Sequence, residues 1–180
     1  MKPSFQLAAV ACALSLALAG CSQSTPSTSS TESVQQSQTV KQYDAETFFD
    51  TTSIMGSSFS PKGDKILVSS DESGIYSLYE VDIKTAKKTR LTDFEDSTYA
   101  VAYFPKDERV LFTKDSGGNE RYHIYVRETD GTVKDLTPGE ETRAGFAGFT
   151  EDGKHFFITS NQRDAKFMDL YRVDANSYEV

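Results

Sequence analysis

Three short stretches of the chain place an apolar residue ahead of a charged turn in the same order. Phe59-Ser60-Pro61-Lys62-Gly63-Asp64 is matched by Phe104-Pro105-Lys106-Asp107-Glu108 and by Phe149-Thr150-Glu151-Asp152-Gly153, and successive leading phenylalanines are 45 residues apart. Leu78-Tyr79, Ile124-Tyr125 and Leu170-Tyr171 recur at intervals of 46, and Leu91-Thr92 and Leu136-Thr137 at 45. A period of this size with β-type content predicts the blades of a β-propeller.

Each repeat is predicted to form four short strands. In the second repeat the strands are expected at residues 99–104, 109–113, 121–127 and 133–137, with turns at Pro105-Lys106-Asp107, Gly117-Gly118 and Asp130-Gly131 between them. The first and third repeats follow the same course, so the repeats occupy residues 56–98, 99–143 and 144–180. We therefore expect an all-β fold, a partial β-propeller of three four-stranded blades of which the third is incomplete.

The second strand of each repeat is apolar on both faces. These strands contain Ile66-Leu67-Val68, Val110-Leu111-Phe112 and Phe156-Phe157-Ile158. A strand covered on both faces is expected where one sheet is stacked between two others. The alternative, a single β-sandwich, would show period-two alternation in most strands, so the pattern favours the propeller.

The two ends of the repeat region leave alternatives open. Phe48, Phe49 and Ile54 precede the repeats and predict either a short helix or a lead-in strand packed on the first blade. The third repeat stops early, because the counterpart of Leu136 is due near position 181 and the last residue is Val180. The pattern favours a truncated translation. A ring completed by partners is the alternative, and it would leave a blade edge exposed.

The first 20 residues predict a lipoprotein signal peptide. Lys2 supplies a positive charge, and residues 7–18 form an apolar run that is too short to span a bilayer comfortably. Leu18-Ala19-Gly20-Cys21 looks like a bacterial lipobox, in which Cys21 receives the lipid. Cys12 would leave with the signal peptide, so the mature chain would contain one cysteine and no internal disulfide. We expect lipid attachment at Cys21 and membrane binding through its acyl chains; the alternative is an ordinary secretory peptide followed by a chance cysteine.

Residues 21–42 predict a lipidated cysteine and a disordered linker. The segment is rich in Ser, Thr and Gln, with Val34 and Val40 as its apolar residues after Cys21, so it cannot bury enough surface to offset the entropy of ordering. A flexible coil of this length spans roughly 25 Å on average. Ser22 favours the outer membrane by analogy with known bacterial lipoproteins. We therefore expect a domain of residues 43–180 in the cell envelope, anchored to the outer membrane and facing the periplasm.

The charge of the chain argues against nucleic acid as a partner. Without Lys2 the 19 basic residues become 18, against 27 acidic residues, which gives a net charge of −9. The sequence contains no basic stripe, which phosphate binding would need. An acidic exported domain is more simply explained by solubility.

No catalytic constellation is visible in these 180 residues. There is no Gly-x-Ser-x-Gly motif for a nucleophile elbow. The two histidines, His123 and His155, lie in predicted strands and form no metal motif, so we interpret them as core or surface residues. Residues 115–120 offer oxygen ligands and glycines but lack the spacing of a calcium loop, and a hairpin turn is favoured. We assign no catalytic, cofactor-binding or metal-binding residue, and no cofactor.

Several segments, taken in order, carry a family resemblance. They are residues 104–111, Gly117-Gly118-Asn119-Glu120, His123-Ile124-Tyr125-Val126-Arg127, residues 134–139 and residues 159–164. Over residues 43–180 the chain resembles the N-terminal propeller of exported bacterial serine peptidases of the prolyl oligopeptidase family. No single segment is specific to this family, but the order and spacing of the segments together are considerably more specific.

The resemblance implies a seven- or eight-bladed propeller ahead of a C-terminal α/β-hydrolase domain. That domain would supply a Ser-Asp-His triad, and the propeller would admit only peptides or partly unfolded chains to it. Peptide substrates would thus be partners of the parent enzyme. Glu140-Glu141 lacks the aromatic context of the glutamate pair that holds a substrate amine in the dipeptidyl aminopeptidases of the family, and we interpret it as a loop after a strand.

The rival interpretation is a non-enzymatic envelope lipoprotein that binds proteins as a scaffold. It would be similar to the periplasmic propeller of the Tol system, whose blades use comparable Ser-Pro-x-Gly turns.

Overall fold

Three antiparallel sheets follow one another along the chain in the computed structural model, which describes residues 40–180. Each sheet is a meander in which strands adjacent in sequence are paired, as in a propeller blade. Blade 1 contains β1 (Ile54–Phe59), β2 (Lys65–Ser70), β3 (Ser77–Asp82) and β4 (Lys88–Arg90). Blade 2 contains β5 (Thr98–Tyr103), β6 (Val110–Lys114), β7 (His123–Arg127) and β8 (Val133–Asp135). Blade 3 contains β9 (Ala144–Phe149), β10 (His155–Ser160) and β11 (Asp169–Asp174).

The all-β partial propeller predicted from the repeats is therefore confirmed, and the predicted strands of blade 2 agree with the observed ones to within two residues at each end. The predicted signal peptide, the lipid attachment at Cys21 and the linker up to residue 39 lie outside the described residues. Within residues 40–180 no helix is long and apolar enough to cross a membrane.

The segment ahead of blade 1 forms a single helical turn, α1 (Ala45–Phe49). Asp44 caps it by accepting a hydrogen bond from the backbone N–H of Thr47 at 2.8 Å. Of the two structures expected for this segment, the helix is the one formed, and Ile54 opens β1. Phe48 and Phe49 are 68% and 86% exposed, so the helix buries neither ring.

The core consists of two layers, one between each pair of successive blades. Leu67 and Leu78 of blade 1 pack with Val110 and Phe112 of blade 2, and all but Val110, at 1% exposure, are fully buried. Leu111 points the other way and packs with residues of blade 3, including Phe156. Side chains alternate across a strand, so β6 needs consecutive apolar residues, Val110-Leu111-Phe112, to cover both layers. For β6, this confirms the expectation that a second strand lies between two neighbouring sheets.

The leading phenylalanines do not occupy equivalent positions in the three blades. In each blade the residue after the first strand donates its backbone N–H to a carbonyl at the start of the second strand or one residue before it. These pairs are Ser60 to Lys65 at 3.0 Å, Phe104 to Arg109 at 2.9 Å and Thr150 to His155 at 2.9 Å. Phe104 thus stands where Ser60 stands, and Tyr103 is the counterpart of Phe59. The 45-residue match at Phe104 was wrong by one residue, because an adjacent aromatic residue in blade 2 imitates the landmark.

Candidate functional site

A polar cleft of about 490 Å³ opens at one end of blade 2. It lies at the β6–β7 hairpin, where that hairpin meets the turn that follows β8. Its charged and aromatic lining residues are Lys114, Asp115, Arg121, His123, Tyr125, Asp135, Glu140 and Glu141. The cleft therefore gathers eight titratable side chains.

His123 is held by Asp135 of the neighbouring strand. Its Nδ1 lies 2.8 Å from Oδ2 of Asp135, and both side chains are partly buried. When His123 is neutral, an Nδ1–H donated to the carboxylate leaves Nε2 as a hydrogen-bond acceptor. Burial, followed by the charge of Asp135, raises the pKa of the adjacent Tyr125 to about 12.

Lys114 joins the cleft to the segment between blades 1 and 2. Its ammonium lies 3.2 Å from the carboxylate of Asp96 and donates to the carbonyl of Asp115 at 3.0 Å. Hydrogen bonds from the backbone of Gly117 and from Lys114 hold the pKa of Asp96 below its usual value. Lys114 is therefore engaged in holding the hairpin to the preceding segment.

Arg121 closes the opposite side of the cleft. Its guanidinium lies 2.7 Å from the Glu141 carboxylate and donates to the Glu140 carbonyl at 3.2 Å. Glu140 and Glu141 form a turn after β8, as expected. Residues 115–120 form the turn of the β6–β7 hairpin, also as expected, and the backbone of Glu120 donates to Asp115.

The hydrogen bonds and ion pairs of this cleft hold its side chains in fixed positions. Among the described residues, the hydrogen bond of His123 is to Asp135, and none joins it to a hydroxyl or thiol, which is the contact that activates a nucleophile. Within residues 40–180 no group of three or more His, Cys, Asp or Glu side chains is arranged to hold a metal ion. The cleft can accept a polar group, and we assign it no reaction.

His155, the other histidine singled out from the sequence, lies on β10 of blade 3 and not in the cleft. Its Nε2 is 4.0 Å from the Asp174 carboxylate, and it borders a shallow open hollow with Phe157 and Arg172. The structure does not bring the two histidines together. Sequence reasoning missed Asp135 as the partner of His123. The available signal was that the two residues lie on strands predicted to pair across the Asp130-Gly131 turn.

Known proteins with related sequences or structures identify the fold and its relatives. No family model matches the chain. Over 84 residues it is 38% identical to dipeptidyl aminopeptidase BIII of Pseudoxanthomonas mexicana; the matched part is 44% of this chain and 12% of that protein. The resemblance to the propeller region of the prolyl oligopeptidase family is confirmed. The propeller described here thus corresponds to a small part of the length of that relative.

Solved structures support the same architecture. TolB from Acinetobacter baumannii is 26% identical with a TM-score of 0.53, over 71% of this chain and 31% of that one. A putative TolB from Agrobacterium tumefaciens is 20% identical with a TM-score of 0.55, and the match covers 69% of this chain and 48% of that one. A prolyl endopeptidase is 10% identical with a TM-score of 0.54, and the match covers 69% of this chain and 20% of that one. At this level of identity the last two show the fold alone.

Proposed function

We propose that the chain is the N-terminal propeller region of a lipid-anchored serine peptidase of the prolyl oligopeptidase family. In that protein it controls the access of peptides to a C-terminal α/β-hydrolase domain, which these 180 residues do not contain. The observation that carries the proposal is the 38% identity to a dipeptidyl aminopeptidase over 84 residues. The substrates of the whole protein are accordingly peptides.

The packing between blades supports a gating role. The layers around Leu67 and Leu111 are fully buried, so successive blades leave no passage between them for an extended chain. A peptide then has to enter by a route other than the space between these blades, and the size of the peptide limits its entry. Because the side chains between the blades are closely packed, separating the blades would lower the stability of the fold.

Gating is tested in the whole protein by comparing a short peptide substrate with a long one. Leu111→Ala, which opens a cavity between blades 2 and 3, is expected to raise the cleavage of the long substrate relative to the short one. Phe49→Ala, at an exposed ring of α1, is the control and should leave the ratio unchanged. An unchanged ratio in folded Leu111→Ala protein would contradict gating by these blades.

A simpler test addresses the domain order. The reading frame beyond Val180 is expected to encode further blades and then a Gly-x-Ser-x-Gly motif at a strand-to-helix turn. Further blades followed by a stop codon, with no hydrolase region, would refute the peptidase proposal.

The location proposed is the cell envelope, with the lipid on Cys21 and the domain facing the periplasm. The envelope is inferred from the signal-peptide pattern of the first 20 residues, and lipid attachment at Cys21 rests on the lipobox alone. Metabolic labelling with a palmitate analogue is expected to mark the wild-type chain and not Cys21→Ser. Equal labelling of both, or of neither, would exclude Cys21 as the anchor.

A second candidate function is a non-enzymatic scaffold in the envelope. It is favoured by the 26% identity and shared fold with TolB of A. baumannii. The reading frame distinguishes the two candidates, because a scaffold needs no hydrolase region.

A further inference from the structure

Three tyrosine rings lie in a row across the boundary between blades 1 and 2. Tyr76 stands directly before β3 of blade 1, Tyr99 lies on β5, and Tyr122 stands directly before β7 of blade 2. The ring of Tyr99 lies 5.4 Å from that of Tyr76 and 5.9 Å from that of Tyr122, measured between centroids. All three residues are partly buried. Tyr99 is therefore the middle member of an aromatic contact that passes from one blade to the next.

A backbone hydrogen bond holds Tyr76 and Tyr99 beside each other. The N–H of Thr98, the residue before Tyr99, donates to the carbonyl of Tyr76 at 2.8 Å. The same bond joins blades 2 and 3, where the N–H of Ala144 donates to the carbonyl of Tyr122 at 2.8 Å, but the residue after Ala144 is a glycine. The backbone bond is thus common to both boundaries, and the pair of tyrosines occurs at the first one.

The contact between Tyr76 and Tyr99 has the better geometry for coupling two rings. Their planes are tilted by 40°, whereas the planes of Tyr99 and Tyr122 stand at 71° in an edge-to-face contact. Oxidative coupling of two phenols forms a bond between the carbons that lie beside the hydroxyl-bearing carbon of each ring. The two ring edges must therefore meet, and an edge directed at a face cannot form this bond until one ring turns.

The composition of the chain directs one-electron oxidation to its tyrosines. The sequence contains no tryptophan, and its two cysteines, Cys12 and Cys21, both precede residue 40. Residues 40–180 therefore lack the thiols and indoles that are oxidised more readily than a phenol. Methionine takes up oxygen from peroxide as the sulfoxide and forms no crosslink. The same lack of cysteine excludes a disulfide between the blades, so a tyrosine pair is the group through which oxidation can join them.

We propose that Tyr76 and Tyr99 form a modification site, at which a peroxidase-type oxidant joins the two rings as dityrosine and links blade 1 to blade 2. Each phenol loses one electron and one proton, and the two tyrosyl radicals combine in one carbon–carbon bond. The hydrogens on the two joined carbons then move to the phenolic oxygens as protons. Hydrogen peroxide accepts the two electrons and the two protons and leaves as two molecules of water.

The inference goes beyond the proposed function. It concerns a boundary that lies inside the described residues, so it needs neither a hydrolase domain nor any further blade. The crosslink would close a loop from residue 76 to residue 99 and would restrict the unfolded chain. We therefore expect the modified chain to resist unfolding better than the unmodified one.

Oxidation of the full 180-residue chain tests the proposal. Dilute chain with its two thiols alkylated is treated with hydrogen peroxide and a small haem peptide that acts as a peroxidase. Wild-type chain should show dityrosine fluorescence in the monomer fraction, and peptide mapping should find Tyr76 joined to Tyr99 with the loss of two hydrogens. Tyr76→Phe and Tyr99→Phe should each lose this crosslink. Tyr171→Phe alters a partly buried tyrosine on β11 and is the control that should retain it.

A second measurement addresses the link between the blades. The crosslinked monomer should unfold at a higher urea concentration than the untreated chain, and Tyr76→Phe should show no such increase after the same treatment. Circular dichroism checks that the variants are folded, and mapping of the wild-type chain decides the question without them.

Four results would overturn the proposal. They are dityrosine formed between chains alone, a crosslink of Tyr99 to Tyr122 in place of Tyr76, an equal yield from chain unfolded in urea, and an unchanged urea midpoint in the crosslinked monomer. The third result would show that the fold does not position the rings, and the fourth that the crosslink does not hold the blades together.

Discussion

The side-chain hydroxyl of Thr137 accepts a hydrogen bond from the backbone N–H of Ile124, with 2.9 Å between oxygen and nitrogen. The same bond joins Leu78 to Thr92 in blade 1, also at 2.9 Å. β8 ends at Asp135, so the threonine hydroxyl replaces the backbone acceptor that a longer strand would offer. This is the physical reason for the Leu-Thr landmark, and it lets the chain leave one blade without exposing a buried N–H to an apolar layer.

Thr137→Val tests this role because valine keeps the shape and removes the acceptor. The N–H of Ile124 would be buried without a partner, at a cost of about 1–3 kcal/mol in the free energy of unfolding. Thr89→Val on the exposed strand β4 is the matched control and is expected to change stability by less than about 0.5 kcal/mol. Urea denaturation of both variants measures the difference, and equal midpoints would contradict the role of the hydroxyl.

The layer between blades 1 and 2 is predicted to contribute strongly to stability. Phe112 is fully buried, and its ring lies 5.3 Å from that of Tyr125. Phe112→Ala should lower the free energy of unfolding by about 3–5 kcal/mol, because it removes a large side chain and leaves a cavity. Phe49→Ala is the same substitution at a ring that is 86% exposed, and little change is expected. A similar loss in both variants, measured by denaturation, would show that the layer is not the core.

Blades 2 and 3 are tied by Tyr178, and the tie depends on pH. The Tyr178 hydroxyl donates to Glu128 at 2.6 Å and accepts from Arg109 at 2.6 Å. Burial, and then the hydrogen bond to Glu128, raise the pKa of Tyr178 to about 12. The unfolded chain titrates near 10, so the neutral form stabilises the fold below that pH. The stabilisation that the neutral Tyr178 hydroxyl gives to the fold is lost as the pH rises from about 10 through about 12.

The measurement is the free energy of unfolding at pH 8 and at pH 11. The wild-type chain should lose stability over this interval, and Tyr178→Phe should lose less of it. Tyr125 has a similarly raised pKa, so some dependence will persist in the variant. Phe49→Ala, which alters an exposed ring without a titratable group, is the control and should follow the wild type. Identical losses in wild type and Tyr178→Phe would rule out this source of pH dependence.

The repeat made the fold predictable, because each blade has apolar residues and turn residues at equivalent positions. Strands, turns and the apolar character of β6 follow from alternation and turn residues read along one stretch of chain. Equivalence at single-residue level did not follow, since Tyr103 and Phe104 are adjacent aromatics and only the backbone hydrogen bond of Phe104 decides between them.

The candidate site was less predictable than the fold. The bond between His123 and Asp135 joins residues 12 apart in sequence, and it depends on the register of β7 with β8. Register is fixed by packing and turn geometry that composition does not reveal. The contact of Arg121 with Glu141 spans the end of the blade in the same way.

Labelling with a fluorophosphonate probe tests the proposed peptidase most directly. The full product of the reading frame that contains this propeller is expected to label covalently on a serine outside residues 1–180, and the 180-residue chain is expected to remain unlabelled. A folded full-length product that takes up no label would contradict the assignment to a serine peptidase.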